Sequence, residues 1–167
     1  MFNNMLKTYD DVLSIDLIKS YHYDLKSGVF EDKANGYPIG EFKNRGNIVG
    51  NIKTTLPSDV SDEMEKLISE YNLKKNIDLM TLAMFHEKYE RIHPFQDGNG
   101  RTGRIILFKE CLKNDIIPFI IEDTEKAEYY KALSDASNNN YESLVNLFEK
   151  GQDRYRVIIN ELVVPQD

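Results

Sequence analysis

The chain has a single cysteine, Cys111, so no intrachain disulfide can staple it. Cys111 falls in an apolar helical stretch and reads as a small buried hydrophobe in a reducing compartment. No apolar run approaches the ~20 residues of a membrane span. The first residues, MFNNMLKTYDD, lack the charged and apolar regions of a signal peptide. The expectation is a cytoplasmic protein with no membrane partner. Basic charge is also in deficit, with 21 Lys and Arg against 28 Asp and Glu and a formal net charge of −7. That argues against nucleic acid as a partner. There is no internal repeat and no low-complexity tract beyond the polar loop Asn138–Asn140. What remains is 167 residues, read as one domain whose core needs no staples.

Chemistry is concentrated in one short stretch, His93 to Arg104, reading HPFQDGNGRTGR. A helical pattern from about Asn76 to Ile92 precedes it, and an apolar run, Ile105 to Leu112, follows. The stretch is therefore a helix–loop–helix joint. Gly98 and Gly100 flank Asn99 and let the backbone turn sharply with its N–H groups uncovered. A helix starting near Asn99 would aim unpaired amides and the positive end of its dipole at one point, which makes an anion site. Arg101 and Arg104, three apart, can both grip phosphate oxygens. Asp97 is a hard oxygen ligand suited to Mg²⁺ beside a bound polyphosphate. His93 titrates near neutrality and can take a proton from a hydroxyl. Phe95 is expected to turn inward and anchor the loop. Together these describe a triphosphate at a helix N-terminus, with a metal on one side and a base on the other, arranged for nucleotidyl or phosphoryl transfer.

Other readings of the same residues fail on spacing. A calcium loop starting at Asp97 needs glycine at its sixth position and glutamate at its twelfth, where the chain has Thr102 and Phe108. His86-Glu87 starts like a zinc-protease helix, but Glu90 stands where the second histidine belongs. A plain polar loop between two structural helices explains neither the three glycines nor the two arginines.

At these residues the stretch resembles the Fic family signature HxFx(D/E)GNGRxxR, with every specified position matched. The resemblance implies an all-α compact helical bundle, the Fic fold, with a small β-hairpin flap over the active site at about residues 41–55. Residues 1–167 would be a single Fic domain with residues 93–104 as its catalytic loop. The implied activity is transfer of AMP from ATP to a hydroxyl side chain (Ser, Thr or Tyr) of a target protein. On this resemblance His93 would activate the hydroxyl and Asp97 would hold Mg²⁺ between the α- and β-phosphates. Gly98, Asn99 and Gly100 would form the anion hole, Arg101 would assist the leaving phosphates, and Arg104 would grip the γ-phosphate. Doc-type kinases carry lysine where this chain has Gly100, a difference that favours AMP transfer over phosphorylation. The alternatives are transfer of UMP, a phosphocholine group or a phosphate, or a nucleotide-binding module without turnover.

The flanking sequence supplies the scaffold. Ser14 to Ser27 reads as a first helix containing His22, whose expected role is structural. Five of the nine glycines fall between Gly28 and Gly50, which predicts loops and turns. Within them Glu41–Lys43, the turn Asn44–Asn47 and Ile48-Val49 read as the hairpin, to which a target segment would pair as an added strand. Ser61 is expected to cap a helix to Tyr71. His86 and Glu90, four apart, are expected to form a buried hydrogen-bonded pair. The run Ile105–Leu112 should be the centre of the bundle. A later helix carries Tyr130, which the resemblance places against adenine, although Ser137 stands where the family has asparagine, with Asn138 one residue later. A last helix runs from about Tyr141 to Leu162, with Ile158 and Ile159 on its inner face and Gly151 kinking or dividing it.

Fic proteins are commonly restrained by a helix bearing [ST]xxxE followed by Gly or Asn, whose glutamate pairs with the second motif arginine, here Arg104. Ser27–Glu31, Ser61–Glu65 and Thr124–Glu128 have the spacing, but Asp32, Lys66 and Tyr129 follow them. Either an antitoxin-like partner protein restrains the activity, or the restraint is weak, or it uses another device.

Overall fold

A computed structural model describes residues 1–49 and 52–163, with the side chains of Ile52, Leu162 and Val163 left out. Eight helices and one short strand pair are present among the described residues. In chain order these are α1 (Phe2–Lys7), α2 (Ile15–Lys26), α3 (Phe30–Ala34), β1 (Ile48–Val49), β2 (Ile52–Lys53), α4 (Val60–Asn72), α5 (Leu79–Ile92), α6 (Asn99–Lys113), α7 (Lys126–Ala136) and α8 (Glu142–Val163). The all-helical expectation is met. Among the described residues no helix is long and apolar enough to cross a membrane.

The bundle is organised around α5 and α6, the two helices joined by the glycine-rich loop. α5 packs on α4, α6, α7 and α8, while α6 packs on α1, α2 and α5. α2 begins where expected because the Ser14 side chain accepts from Leu17 N–H. α5 is capped in the same way by Asp78 on Thr81 N–H. α4 differs, since its cap is Asp59, with no side-chain cap bond, and Ser61 already lies inside the helix. α3 lies within the glycine-rich stretch from which composition had excluded regular helix. It lasts only five residues and ends as Gly36 turns the chain with φ +67°.

α6 is buried over most of its surface, but not with apolar groups alone. Lys109 and Glu110 are as buried as Ile106 and Cys111. Lys109 Nζ donates to the Asp11 carbonyl, and to Glu110 Oε1 at 2.7 Å. Tyr71 OH donates to Glu110 Oε2 at 2.7 Å. The pair ties α6 to α4 and to the loop before α2, a long-range function that the local pattern does not show.

Two expectations for α8 are corrected. The helix is continuous, and Gly151 serves close packing, because a Cβ there would stand 2.9 Å from Phe119 Cβ. Leu144, Leu147 and Phe148 are buried, whereas Ile158 and Ile159 are exposed, because the last turns run past the body they would pack on.

Replacing one half of the buried ion pair should cost more than replacing both. Lys109→Met should lower unfolding free energy by about 3–5 kcal/mol by stranding the Glu110 charge. Lys109→Met with Glu110→Gln should recover part of the loss in urea titrations.

Candidate active site

α5 ends at His93, whose backbone is left-handed (φ 52°, ψ 63°). For a residue with a side chain this conformation stores on the order of 1–3 kcal/mol and persists only where the surroundings hold it. Several contacts do so here. His93 N–H donates to Tyr89 O at 2.9 Å, and Lys43 N–H to Pro94 O at 2.9 Å. The Asn99 side chain accepts from Phe95 N–H and donates to Phe95 O, both at 2.8 Å. The Phe95 ring is fully buried and stacks on His22, centroids 3.8 Å apart, as its expected anchoring role requires.

His22 supports the loop from below. Its Nδ1 accepts from Gly40 N–H at 3.0 Å, so the ring proton is on Nε2, which donates to Asp97 O at 3.0 Å. Burial lowers its pKa and keeps it neutral. Gly98, at φ +85°, then turns the chain into α6, a conformation that a Cβ would strain. No side chain caps α6, so the amides of its first turn, Asn99, Gly100 and Arg101, are left without intrahelical acceptors.

A cleft of about 360 Å³ opens at this helix start. Its walls include His93, Asp97 to Arg101, Arg104, Lys126, Tyr129 and Tyr130. His93, Asp97, Gly98, Asn99, Gly100, Arg101, Arg104 and Tyr130 thus border one space, while Phe95 lies buried beneath it. Ser137 and Asn138 do not line it and instead bond back to Ser134 O.

His93 Nδ1 is 3.3 Å from Glu90 O, which assigns the proton to Nδ1 and leaves Nε2 as the acceptor. Burial pushes the imidazole below its usual value and the Lys43 charge adds to this, while Glu90 O and Asp97 oppose it. The ring is neutral at pH 7, as a base must be. Asp97 is half exposed, and Lys26 (2.5 Å) and Arg101 (3.3 Å) both meet its Oδ2. Against the desolvation it suffers, Lys26 foremost holds the carboxyl below its usual value. Lys26 is itself buried and also pairs with Asp32 at 2.5 Å. Arg104 has no carboxylate at ion-pair distance among the described residues; Glu90 and Tyr129 are its neighbours. Glu31, Glu65 and Glu128 are all exposed and none pairs with it.

Among the described residues no cluster of three acidic, histidine or cysteine side chains could hold a metal. Magnesium commonly takes one or two carboxylates and completes its shell with water and substrate phosphates. Asp97 fits that single-carboxylate role.

The strand pair lies beside this loop but is placed differently from the sequence expectation. Ile48 pairs with Lys53 and Val49 with Ile52, antiparallel, so the expected turn Asn44–Asn47 precedes the hairpin. Residues 50 and 51, between the strands, lie outside the described residues. Glu41–Lys43 is no strand, because Lys43 turns inward. Its Nζ donates to Asn47 Oδ1 (2.8 Å), Thr54 Oγ1 (2.7 Å) and Ile92 O (3.3 Å), fastening the hairpin base to the end of α5. Burial pushes the Lys43 pKa down to about 8. The expected His86–Glu90 hydrogen bond is also corrected. Their atoms stand 4.0 Å apart, and His86 Nε2 instead meets Tyr129 OH at 2.7 Å. Lys26, Lys43 and Lys126 carry no signal in the motif and enter the site only through the fold.

Comparison with known proteins gives one consistent answer. A model of the Fic/DOC family matches residues 12–110. Among curated proteins, the chain is 31% identical over 133 residues to "Protein adenylyltransferase Fic" of Aedes aegypti, covering 75% of this chain and 27% of that protein. It is 26% identical to "Protein adenylyltransferase fic-1" of Caenorhabditis elegans, covering 78% and 25%. The matched region thus spans about a quarter of the length of these relatives. Among solved structures, a Fic domain containing signaling protein from Bacteroides thetaiotaomicron has a TM-score of 0.78 at 21% identity, covering 92% of this chain and 65% of that one. BepC from Bartonella tribocorum, crystallised with bound AMPPNP, has a TM-score of 0.66 at 16% identity, covering 89% and 80%. At these identities the solved structures speak for the fold alone.

Asn99→Ala should destabilise the protein by about 2–4 kcal/mol, because it leaves two buried backbone groups of Phe95 to find new partners. Thermal unfolding measures the loss. Gln at the same position should not restore it, since its longer side chain does not fit the clamp.

Proposed function

The chain belongs to the Fic/DOC family, and from that premise we propose that it transfers AMP from Mg-ATP to a Ser, Thr or Tyr hydroxyl of a target protein. The observation that carries this is the convergence of a neutral imidazole, the uncapped start of α6, two arginines and Tyr130 on one cleft. The names of the curated relatives and the AMPPNP bound to BepC support it. Gly100, in place of the Doc-type lysine, favours AMP transfer over phosphorylation.

In this reading the amides of Asn99, Gly100 and Arg101 receive the phosphates, Arg101 and Arg104 take the β- and γ-phosphate charge, and Tyr130 lies along the adenine. The Asn99 side chain is committed to Phe95, so its contribution to the anion is its main-chain N–H. His93 Nε2 accepts the target hydroxyl proton as the oxygen bonds to the α-phosphorus. The bond from that phosphorus to the bridging oxygen breaks, and pyrophosphate leaves. Asp97 would hold a magnesium ion together with the phosphates, and that ion would supply neutralising charge to the leaving group. The target segment pairs with the hairpin as an added strand, and Lys43 fixes that hairpin relative to His93. Among the described residues no carboxylate lies at ion-pair distance from Arg104, so any restraint comes from a separate antitoxin-like protein, is weak, or uses another device.

Incubating lysate with α-labelled and γ-labelled ATP and Mg²⁺ tests the proposal. Label that depends on His93 should reach protein from the α position only, and His93→Ala should reduce it by about 10²–10⁴. His93-dependent transfer from the γ position would make the enzyme a kinase, and ATP binding without transfer would make it a binding module.

The rate should also fall on the acid side with an apparent pKa below the ordinary histidine value of 6.5. The imidazole loses its acceptor as it protonates, and burial delays that to lower pH. A midpoint above 6.5 would contradict the assignment of His93 as the base.

A further inference from the structure

The reaction above makes no use of one carboxyl group lying against the first turn of α6. Glu90 sits in the last turn of α5 with its side chain 14% exposed. Its Oε1 is buried without a hydrogen-bond partner. His86 Nε2 is 4.0 Å away but already meets Tyr129 OH. Its Oε2 is 4.0 Å from His93 Nδ1, which is directed at the Glu90 carbonyl. On the other side runs α6: a Cβ on Gly103 would stand 2.8 Å from Oε1, and one on Gly100 3.9 Å.

The titratable and charged groups facing it are therefore His86, Tyr89 and His93 on its own helix, Arg104 on α6 and Tyr129 on α7. Arg104 is the one full positive charge that favours the carboxylate. Even so, burial holds the Glu90 pKa up at about 7. An unsatisfied buried oxygen is unusual enough to need a reason.

We propose that Glu90 is the proton-linked counter-charge of the anion site, taking up a proton when a polyphosphate engages Arg104 and the start of α6. The proposal rests on reading the cleft as a nucleotide site. In the empty cleft Arg104 offsets the carboxylate across α6. Once phosphate oxygens draw on that guanidinium, Glu90 faces like charge with no donor on its buried Oε1 to soften it, and its neutral form is favoured. Its pKa is then higher in the bound state than in the free state. Affinity is greatest below the free pKa of about 7 and declines as pH rises through the bound value. The coupling is reciprocal: protonation of Glu90 tightens binding by the factor with which binding favours protonation.

Titration calorimetry with ATP and Mg²⁺ tests this on a His93→Ala background, which removes turnover and the imidazole's own protons. Heats at pH 7.5 in two buffers of different ionisation enthalpy count the protons taken up. For a one-unit shift the uptake is roughly half a proton, and binding tightens about fivefold from pH 8 to pH 6. His93→Ala/Glu90→Gln should lack that uptake, bind ATP more tightly at pH 8, and show a pH profile flatter by the same factor. Equal proton counts in the two proteins, with ATP bound by both, overturn the role of Glu90 and leave the nucleotide site standing. No ATP binding by either overturns the nucleotide reading and this one with it. Should the double variant fail to fold, the His93→Ala protein decides alone, since ATP saturated with Mg²⁺ carries almost no titratable proton at pH 7.5 and uptake near zero there rules the proposal out.

Discussion

One side chain holding two backbone groups of one residue sets the geometry of this protein. Asn99 closes on the N–H and C=O of Phe95, and so fixes where α5 stops relative to where α6 starts. With that distance set, His93 is kept in a backbone conformation it would not choose alone, and the first amides of α6 are left open beside it. The clamp is itself held by the Phe95 ring on His22 and by Asn47 Nδ2 on Phe95 O. The loop, His93 and the first turn of α6 thus belong to one unit at the middle of the bundle. A loop tethered only at its ends could not keep a base and a phosphate site in register.

A protein of net charge −7 gathers positive charge locally at this cleft, with groups of two kinds. Arg101, Arg104 and Lys126 border the cleft. Lys26 and Lys43 stand buried behind it, each satisfied by oxygen acceptors: Asp32 and Asp97 for the first, Asn47, Thr54 and the Ile92 carbonyl for the second. These buried cations also act as ties. Lys26 joins α2 to the loop, and Lys43 joins the hairpin base to the helix that ends in His93. Pairing costs less than leaving such charges alone in a low dielectric, which is why each is found with its acceptors in place.

Those ties also connect the surface that would hold a target to the residue that would act on it. The hairpin carries Ile48 and Val49 exposed, and its base is fastened within a few ångströms of the carbonyl that precedes His93. A segment aligned on the strands is aligned with the imidazole by the same contacts.

The helical class, the extent of α2, and the turn that joins the end of α5 to the start of α6 were legible from the sequence, because each depends on neighbours within a turn or two. Apolar spacing and the glycines around Asn99 are local signals. The misreadings arose where distance along the chain hides proximity. The hairpin starts later than the polar turn suggests because Lys43 is drawn inward by Ile92, 49 residues on. His86 leaves Glu90 for a tyrosine 43 residues away, and that departure strands the Glu90 oxygen beneath α6. Gly151 answers to Phe119, and the apolar end of α8 passes beyond anything to pack on. The sequence by itself determined which groups can hold an anion and move a proton, since that is a property of residue type and short spacing. The tertiary structure alone decided which buried charges stand behind them, because burial and pairing are set by segments that meet only when the chain has folded.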